Sequence, residues 1–354
     1  MRASRLLFAL LFAATSVAAS PVITSVTPSK GPTSGGWTVV IQGSGFSNNC
    51  DICSPPFATP EVFFGSTRSE SVALIGESEL QAVAPPHAAG SVSVNVTQNA
   101  GAESFTLPNA FTYVDDLYDA FDPILLPIFS PPVHGQGGSE FVTTATVWNK
   151  TAQTASLYGM DACEFDPPTD PKAPFRLGPG LLEQNLFPEC SETPGRLFFV
   201  PKGDTSLATS LRVWEVTRQD ENHGVQIPVV RREDFSDDHL IALLSVPNDP
   251  KFRLTLRVYG LNRGATTVTL FIIGSDGHVL EFEQFPLLHT NDPFQPSYAV
   301  FTDFPDPARP GAEKLIVMVG IAFGPGPVVP PPTPLWAFIT VTNNETQHIT
   351  TITP

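Results

Sequence analysis

Cys50 and Cys53 form a C-x-x-C, and Cys163 and Cys190 stand as a second, looser pair. Thiols at such spacings can exchange disulfides, ligate zinc, or cross-link the chain. Exchange requires the C-x-x-C at a helix N-terminus that follows a strand. Here Asn48 and Asn49 precede it and Ser54-Pro55-Pro56 follows it, so the motif sits in a loop. Half of a zinc site stays open, although no second Cys or His pair stands at ligand spacing. The plainer reading is a local staple. Bridging Cys163 to Cys190 closes a loop worth roughly 3–4 kcal/mol on the chain-entropy model.

Asp115, Asp116, Asp119 and Asp122 crowd eight residues. Calcium takes six to eight oxygen ligands, and carboxylates at a domain boundary can supply several. No glycine-turned ligand loop is present, and Leu117, Tyr118 and Phe121 interrupt the acids. The segment therefore reads first as a solvated acidic linker.

Catalytic constellations are missing from the sequence. There is no G-x-S-x-G, no H-E-x-x-H and no phosphate loop. The histidines are scattered, and none pairs with another at ligand spacing. Paired carboxylates for glycoside hydrolysis are a spatial matter that sequence does not settle. No cofactor is implied, and the expectation is a protein that is not an enzyme.

Aromatic side chains can act without catalysis, because exposed Trp and Tyr rings stack on the apolar face of a sugar. Trp148, Trp214 and Trp336 lie in strands and read as core. Trp37, just after Gly35-Gly36, lies near a turn and is the candidate ligand contact. N-x-T sequons occur at Asn95, Asn149 and Asn344, about the number chance supplies in a chain this long.

The elements that must carry these residues are strands. Proline and glycine number 37 and 26, spread along all 354 residues. Proline is rare inside helices and central strands, so this abundance points to many short strands and turns. At the N-terminus, Arg2 and Arg5 precede the apolar run Leu6–Ala14, and Val17-Ala18-Ala19 offers small residues to a signal peptidase. The cut is expected after Ala19, leaving residues 1–19 as a signal peptide. No later segment is apolar enough to cross a bilayer. The expected location is secreted, periplasmic or cell-surface. A net charge of −16 repels nucleic acid and anionic lipid.

Residues 21–114 read as one β-sandwich. Strand patterns at 21–28, 38–43, 62–65, 80–85, 91–96 and 111–114 are separated by turn formers, with no helical period between them. The run PVITSVTPSKGPTSGGWTVVIQGSGF, then VFFG, then VAPP, then SVSVNVTQNAGAESFTLPNAFTYV resembles the IPT/TIG domain. That family has an immunoglobulin-like fold, shared by bacterial surface proteins, receptors and some transcription factors. The stretch from Ser47 to Thr59 departs from the pattern and reads as an inserted loop. The family's DNA-binding members use basic loops, whereas Lys30 and Arg68 are the only basic side chains here. The resemblance implies an adhesive, spacer or accessory-binding role.

Two further strand-rich regions, expected at 118–248 and 249–354, look like a degenerate repeat. Each opens with an alternating strand and later carries a tryptophan strand, Leu211–Thr217 in the first and Leu335–Thr342 in the second. Leu254, Leu256 and Val258 share a face, and Leu280 and Phe282 alternate with Glu281 and Glu283. The expected fold class is all-β: tandem immunoglobulin-like β-sandwiches behind a signal peptide. The expected function is non-catalytic binding or adhesion to an extracellular protein or glycan. The alternatives are a structural spacer or the accessory region of a polysaccharide-acting enzyme.

Overall fold

A computed structural model of the chain describes residues 20–49, 53–54, 58–128, 133–134, 138–160, 170–184, 195–217, 224–237, 240–261, 264–302, 314–321 and 333–354. The expected signal peptide lies outside them. The described chain is nearly all β, and its contacts divide it into two units, 1–115 and 116–354.

The first unit is a sandwich of two sheets. One contains, in spatial order, Val22–Thr27, Thr38–Ser44, Glu79–Val83 and Val72–Gly76. The other runs Lys30–Pro32, Glu103–Val114, Gly90–Gln98, Glu61–Phe64 and Thr67–Arg68. Alternate residues point inward, as a pleated strand requires. Val39, Ile41, Leu80 and Ala82 from the first sheet meet Val62, Phe64, Val94 and Phe111 from the second. The Phe111 ring stands edge-on to Phe64 at 5.2 Å and to Tyr113 at 4.9 Å. Gly43 is forced by packing: a Cβ there would lie 2.0 Å from the Val22 carbonyl oxygen.

In the second unit the strand Phe121–Leu126 pairs with Arg196–Pro201 on one side and Val230–Arg231 on the other. A larger sheet is built on Glu140–Asn149, which pairs with Leu207–Glu215 over nine residues. Val225–Ile227 extends that sheet beyond Leu207–Glu215, and Leu182–Gln184 pairs with the other edge of Glu140–Asn149.

The last sandwich packs the sheet Leu240–Pro247, Lys314–Ile321, Thr267–Gly274, Val279–Pro286 against Ser297–Thr302, Phe252–Gly260, Leu335–Asn343, Ile349–Ile352. Its strand Phe252–Gly260 pairs with the tryptophan strand Leu335–Asn343 over nine residues, as Glu140–Asn149 does with Leu207–Glu215. The tryptophan stands at different places in the two pairs, near the end of Leu207–Glu215 and near the start of Leu335–Asn343. Leu240–Pro247, just before the expected 248/249 boundary, pairs with Lys314–Ile321 of this sheet. The two halves also share packing. The Tyr259 hydroxyl donates to the Pro127 carbonyl, the Leu197 N–H donates to the Phe294 carbonyl at 2.8 Å, and Phe294 stands edge-on to Phe199 at 5.7 Å.

Leu280 and Phe282 depart from what their alternation implies. They do not face the core: Phe282 is 57% exposed, while Phe285 on the same strand is buried. Their strand lies at the sheet edge, and a bulge between Ile272 and Ile273 resets its register.

Candidate functional site

The outward face of the sheet built on Glu140–Asn149 carries the site. Along this strand Ala145, Val147 and Asn149 are buried, so Thr144, Thr146 and Trp148 point the other way. Along Leu207–Glu215, Leu211 and Val213 are buried, and Ser210, Arg212 and Trp214 face outward. Register then sets the pattern across the strands. Trp148 stands beside Leu182 and Ala208, Thr146 beside Ser210, Thr144 beside Arg212, Arg212 in turn beside Gln226, and Trp214 beside Val142.

The result is a shallow face with an aromatic ring at each end and hydroxyl, guanidinium and amide groups between. Trp148 is 46% exposed and Leu182 is also open to solvent. Trp214 is half-buried and rests on Gly224, where a Cβ would lie 2.9 Å from the ring. Trp214 opposes Val142, six residues from Trp148, so the rings stand about 20 Å apart along the strand.

Asn149 fixes the Trp148 end. Its side chain is buried and its amide nitrogen donates to the carbonyls of Gln153 at 2.7 Å, Leu177 at 2.9 Å and Gly178 at 3.0 Å. Its amide oxygen accepts from the Thr151 N–H and hydroxyl. Two turns are tied to the strand residue next to the indole, which therefore rests on a rigid base. Beyond Lys150 lies a recess of about 260 Å³ lined by Asp122, Lys150, Asp204, Arg231, Arg232 and Glu233. Asp122 is held by Lys202 at 2.7 Å and by the Gly203 N–H at 2.7 Å, and the Arg231 guanidinium donates to the Leu207 carbonyl at 2.9 Å. The recess therefore offers donors and acceptors side by side.

Trp37, the candidate ligand contact, is turned inward. It is 3% exposed, because the chain around it is clasped to Ala84: Gly36 N–H donates to the Ala84 carbonyl and Ala84 N–H to the Trp37 carbonyl. Reading Trp148 as core is likewise corrected by its exposure, whereas Trp336 is buried as expected. The period-2 phase of Thr144, Thr146 and Trp148 against Ala145 and Val147 was the signal that could have found it.

Three of the four aspartates have partners of their own, and Asp115 and Asp116 fall in different units. Asp115 belongs to the first unit and accepts from the Thr33 hydroxyl at 3.4 Å. Asp116 caps the turn Leu117–Ala120 through the Tyr118 N–H at 3.0 Å, and Asp122 is held as described. Asp119 lies in that turn. Among the described residues no three His, Cys, Asp or Glu side chains are placed to hold a metal ion. Likewise, no helix there is long and apolar enough to cross a membrane. Cys53 is disulfide-bonded. Cys50, Cys163 and Cys190 lie outside the described residues.

Fold and face together define an all-β protein of tandem sandwiches that displays an aromatic and polar sheet surface. Residues 21–113 match the model of the IPT/TIG domain. A search of curated proteins found no match. Among solved structures, gamma-CGTase from alkalophilic Bacillus clarkii is 17% identical, covering 60% of this chain and 25% of that one, with TM-score 0.21. An auxiliary nutrient binding protein from Bacteroides ovatus is 14% identical, covering 58% and 45%, with TM-score 0.21. SGBP-B from a complex xyloglucan utilization locus in Bacteroides uniformis is 12% identical, covering 95% and 74%, with TM-score 0.22. The chain thus spans less than half the length of the first two. Likeness this slight carries no functional argument.

Proposed function

We propose that the protein is an exported, non-catalytic glycan-binding protein and that the Trp148–Trp214 face holds an oligosaccharide. The observation that supports this most is Trp148: a half-exposed indole on a strand, in phase with hydroxyl-bearing residues and braced by Asn149. An apolar ring on a rigid strand matches the hydrophobic face of a pyranose, and the neighbouring polar groups can meet its hydroxyls. The recess beyond Lys150, with its paired donors and acceptors, suits a further neutral sugar ring. Export is supported by the leader pattern at residues 1–19 and by the cysteines, for which we retain the pairings Cys50–Cys53 and Cys163–Cys190.

The test is native affinity electrophoresis of the mature chain through gels containing soluble plant, algal and microbial polysaccharides. Retardation by at least one polymer is expected, weakened at least tenfold by Trp148→Ala or Trp214→Ala and left intact by Trp37→Phe. No retardation across the panel, or retardation indifferent to both indoles, would overturn the reading. Turnover of a retarding polymer by the chain itself would make it an enzyme and overturn the non-catalytic part of the reading.

A further inference from the structure

The sheet Ser297–Thr302, Phe252–Gly260, Leu335–Asn343, Ile349–Ile352 turns Leu254, Leu256, Val258, Ala337, Ile339 and Ala299 into the core. The residues between them face the other way. Register sets these in rows: Tyr298, Tyr259 and Trp336; then Val300, Arg257 and Phe338; then Thr302, Thr255, Thr340 and Thr351. At the first row the preceding half of the unit covers the face. The Tyr259 hydroxyl donates to the Pro127 carbonyl, and a Cβ on Gly195 would lie 2.8 Å from the Tyr259 ring. At the third row the face opens: Thr255 and Thr351 are half-buried and Thr302 is exposed. Arg257 stands between the two.

The surroundings of Arg257 do not balance its charge. Its guanidinium donates to the Thr340 hydroxyl at 2.9 Å and lies 5.8 Å from the centre of the buried Phe338 ring. Both partners are neutral. Among the described residues it meets no carboxylate, and its other N–H groups meet no acceptor. Burial lowers its pKa from the ordinary value, against an upward pull from the Tyr259 phenol. A charge withdrawn from water is costly unless an opposite charge meets it. The four strands carry no Asp or Glu, in a chain with 35 acidic residues against 19 Lys and Arg. Arg253, on the same face, is committed elsewhere: it donates to Asn344 Oδ1 and Gln347 Oε1, each at 2.9 Å.

We propose that this face binds an acidic sugar, its carboxylate on Arg257 and its hydroxyls on Thr255, Thr302 and Thr351. The inference rests on reading the protein as glycan-binding, and adds a second site on another sheet with an acidic ligand class. A planar guanidinium fork matches a carboxylate with two parallel hydrogen bonds. Hydroxyls in register across neighbouring strands, beside an arginine and aromatic rings, repeat the side-chain types of the Trp148 face. One guanidinium takes one carboxylate, so the ligand is a mainly neutral glycan with isolated uronic acid residues. A densely charged polymer is repelled by the chain's −16, whereas a single carboxylate responds to the contact at Arg257, since exposed charges beyond about 8 Å are screened.

Titration calorimetry and thermal melts of the mature chain are the test. The probes are methyl β-glucuronide, methyl β-glucoside as the same ring without charge, and acetate and sulfate as anions without a ring. The glucuronide should bind at least tenfold more tightly than each of the other three. Arg257→Met should abolish that preference without lowering the melting temperature, because it removes a charge that has no counter-charge. Thr255→Ala, which keeps the guanidinium, should weaken glucuronide binding severalfold. Arg212→Gln and Trp148→Ala, on the other face, should leave it unchanged. A wild-type chain without the preference overturns the proposal, as does a preference that survives Arg257→Met or is lost in Arg212→Gln. Acetate or sulfate binding as tightly as the glucuronide overturns the sugar assignment. Retardation by a neutral polymer that depends on Trp148 is read separately, so failure here leaves that reading standing, and failure there leaves glucuronide binding measurable.

Discussion

Trp336 stands directly opposite Tyr259 across one antiparallel strand pair, the two rings stacked 6.3 Å apart at 28°. In the corresponding pair of the preceding region, Trp214 stands opposite Val142 on a wet face. The same element, a tryptophan strand paired with the opening strand, thus serves as core in one place and surface in the other.

Stability measurements separate the two roles. Trp336→Ala removes a buried indole and should cost about 3–5 kcal/mol. Trp148→Ala, on the exposed face, should change stability by less than about 1 kcal/mol. Urea titrations of the two variants decide it, and equal losses would return Trp148 to the core.

Alkaline pH should unfold the second unit. Burial raises the phenols of Tyr158 and Tyr259 well above the ordinary value, and nearby Arg176 and Arg257, respectively, pull back against that. The folded chain keeps these protons where the unfolded chain loses them near pH 10. The stability they contribute is therefore complete below pH 10 and falls above it, by about 1.4 kcal/mol per pH unit for each tyrosine. Denaturant midpoints between about pH 8 and pH 12 should be flat and then fall, with a shallower fall in Tyr158→Phe.

Gly43→Ala should destabilise the first unit by more than about 2 kcal/mol, because the new methyl meets the Val22 carbonyl oxygen and the Phe46 ring. Gly101→Ala, where a Cβ meets nothing within 4 Å but φ is +88°, should cost less. Thermal melts of the full chain compare them.

Calcium should not act at the acidic junction. Asp122 is engaged by Lys202 and Asp116 by its own turn. Millimolar calcium or chelator should move the melting temperature by less than about 1 °C. A calcium-dependent rise lost in Asp115→Asn, Asp116→Asn would contradict this.

The first sandwich was legible because its signals are local. Turn glycines such as Gly35 and alternations such as Leu80, Ala82, Ala84 specify strand and face within a few residues. The all-β character of the rest followed from the same logic. The site was less legible, because residue type competed with phase. Tryptophan in a strand suggests core, yet Trp148 is in step with Thr144 and Thr146. Proximity to a turn suggested exposure for Trp37, while backbone bonds to Ala84 hold it inside. Leu280 and Phe282 alternate as core residues do, and only pairing across four strands shows which side of the sheet they take. The recess beyond Lys150 combines residues from 122 to 233, a separation no local pattern records.

Asn149 has one more consequence, and it concerns how the protein can be made. Asn149-Lys150-Thr151 is a glycosylation sequon, yet in the folded chain the acceptor nitrogen is buried and shared among three carbonyls. Once folded, the chain is closed to the transferase at this position. A glycan attached while the chain is still emerging would sit where those carbonyls must be satisfied, and neither turn beside Trp148 could close. A eukaryotic secretory host that glycosylates this sequon early would deliver misfolded material, whereas a host without N-glycosylation leaves the amide free for the fold.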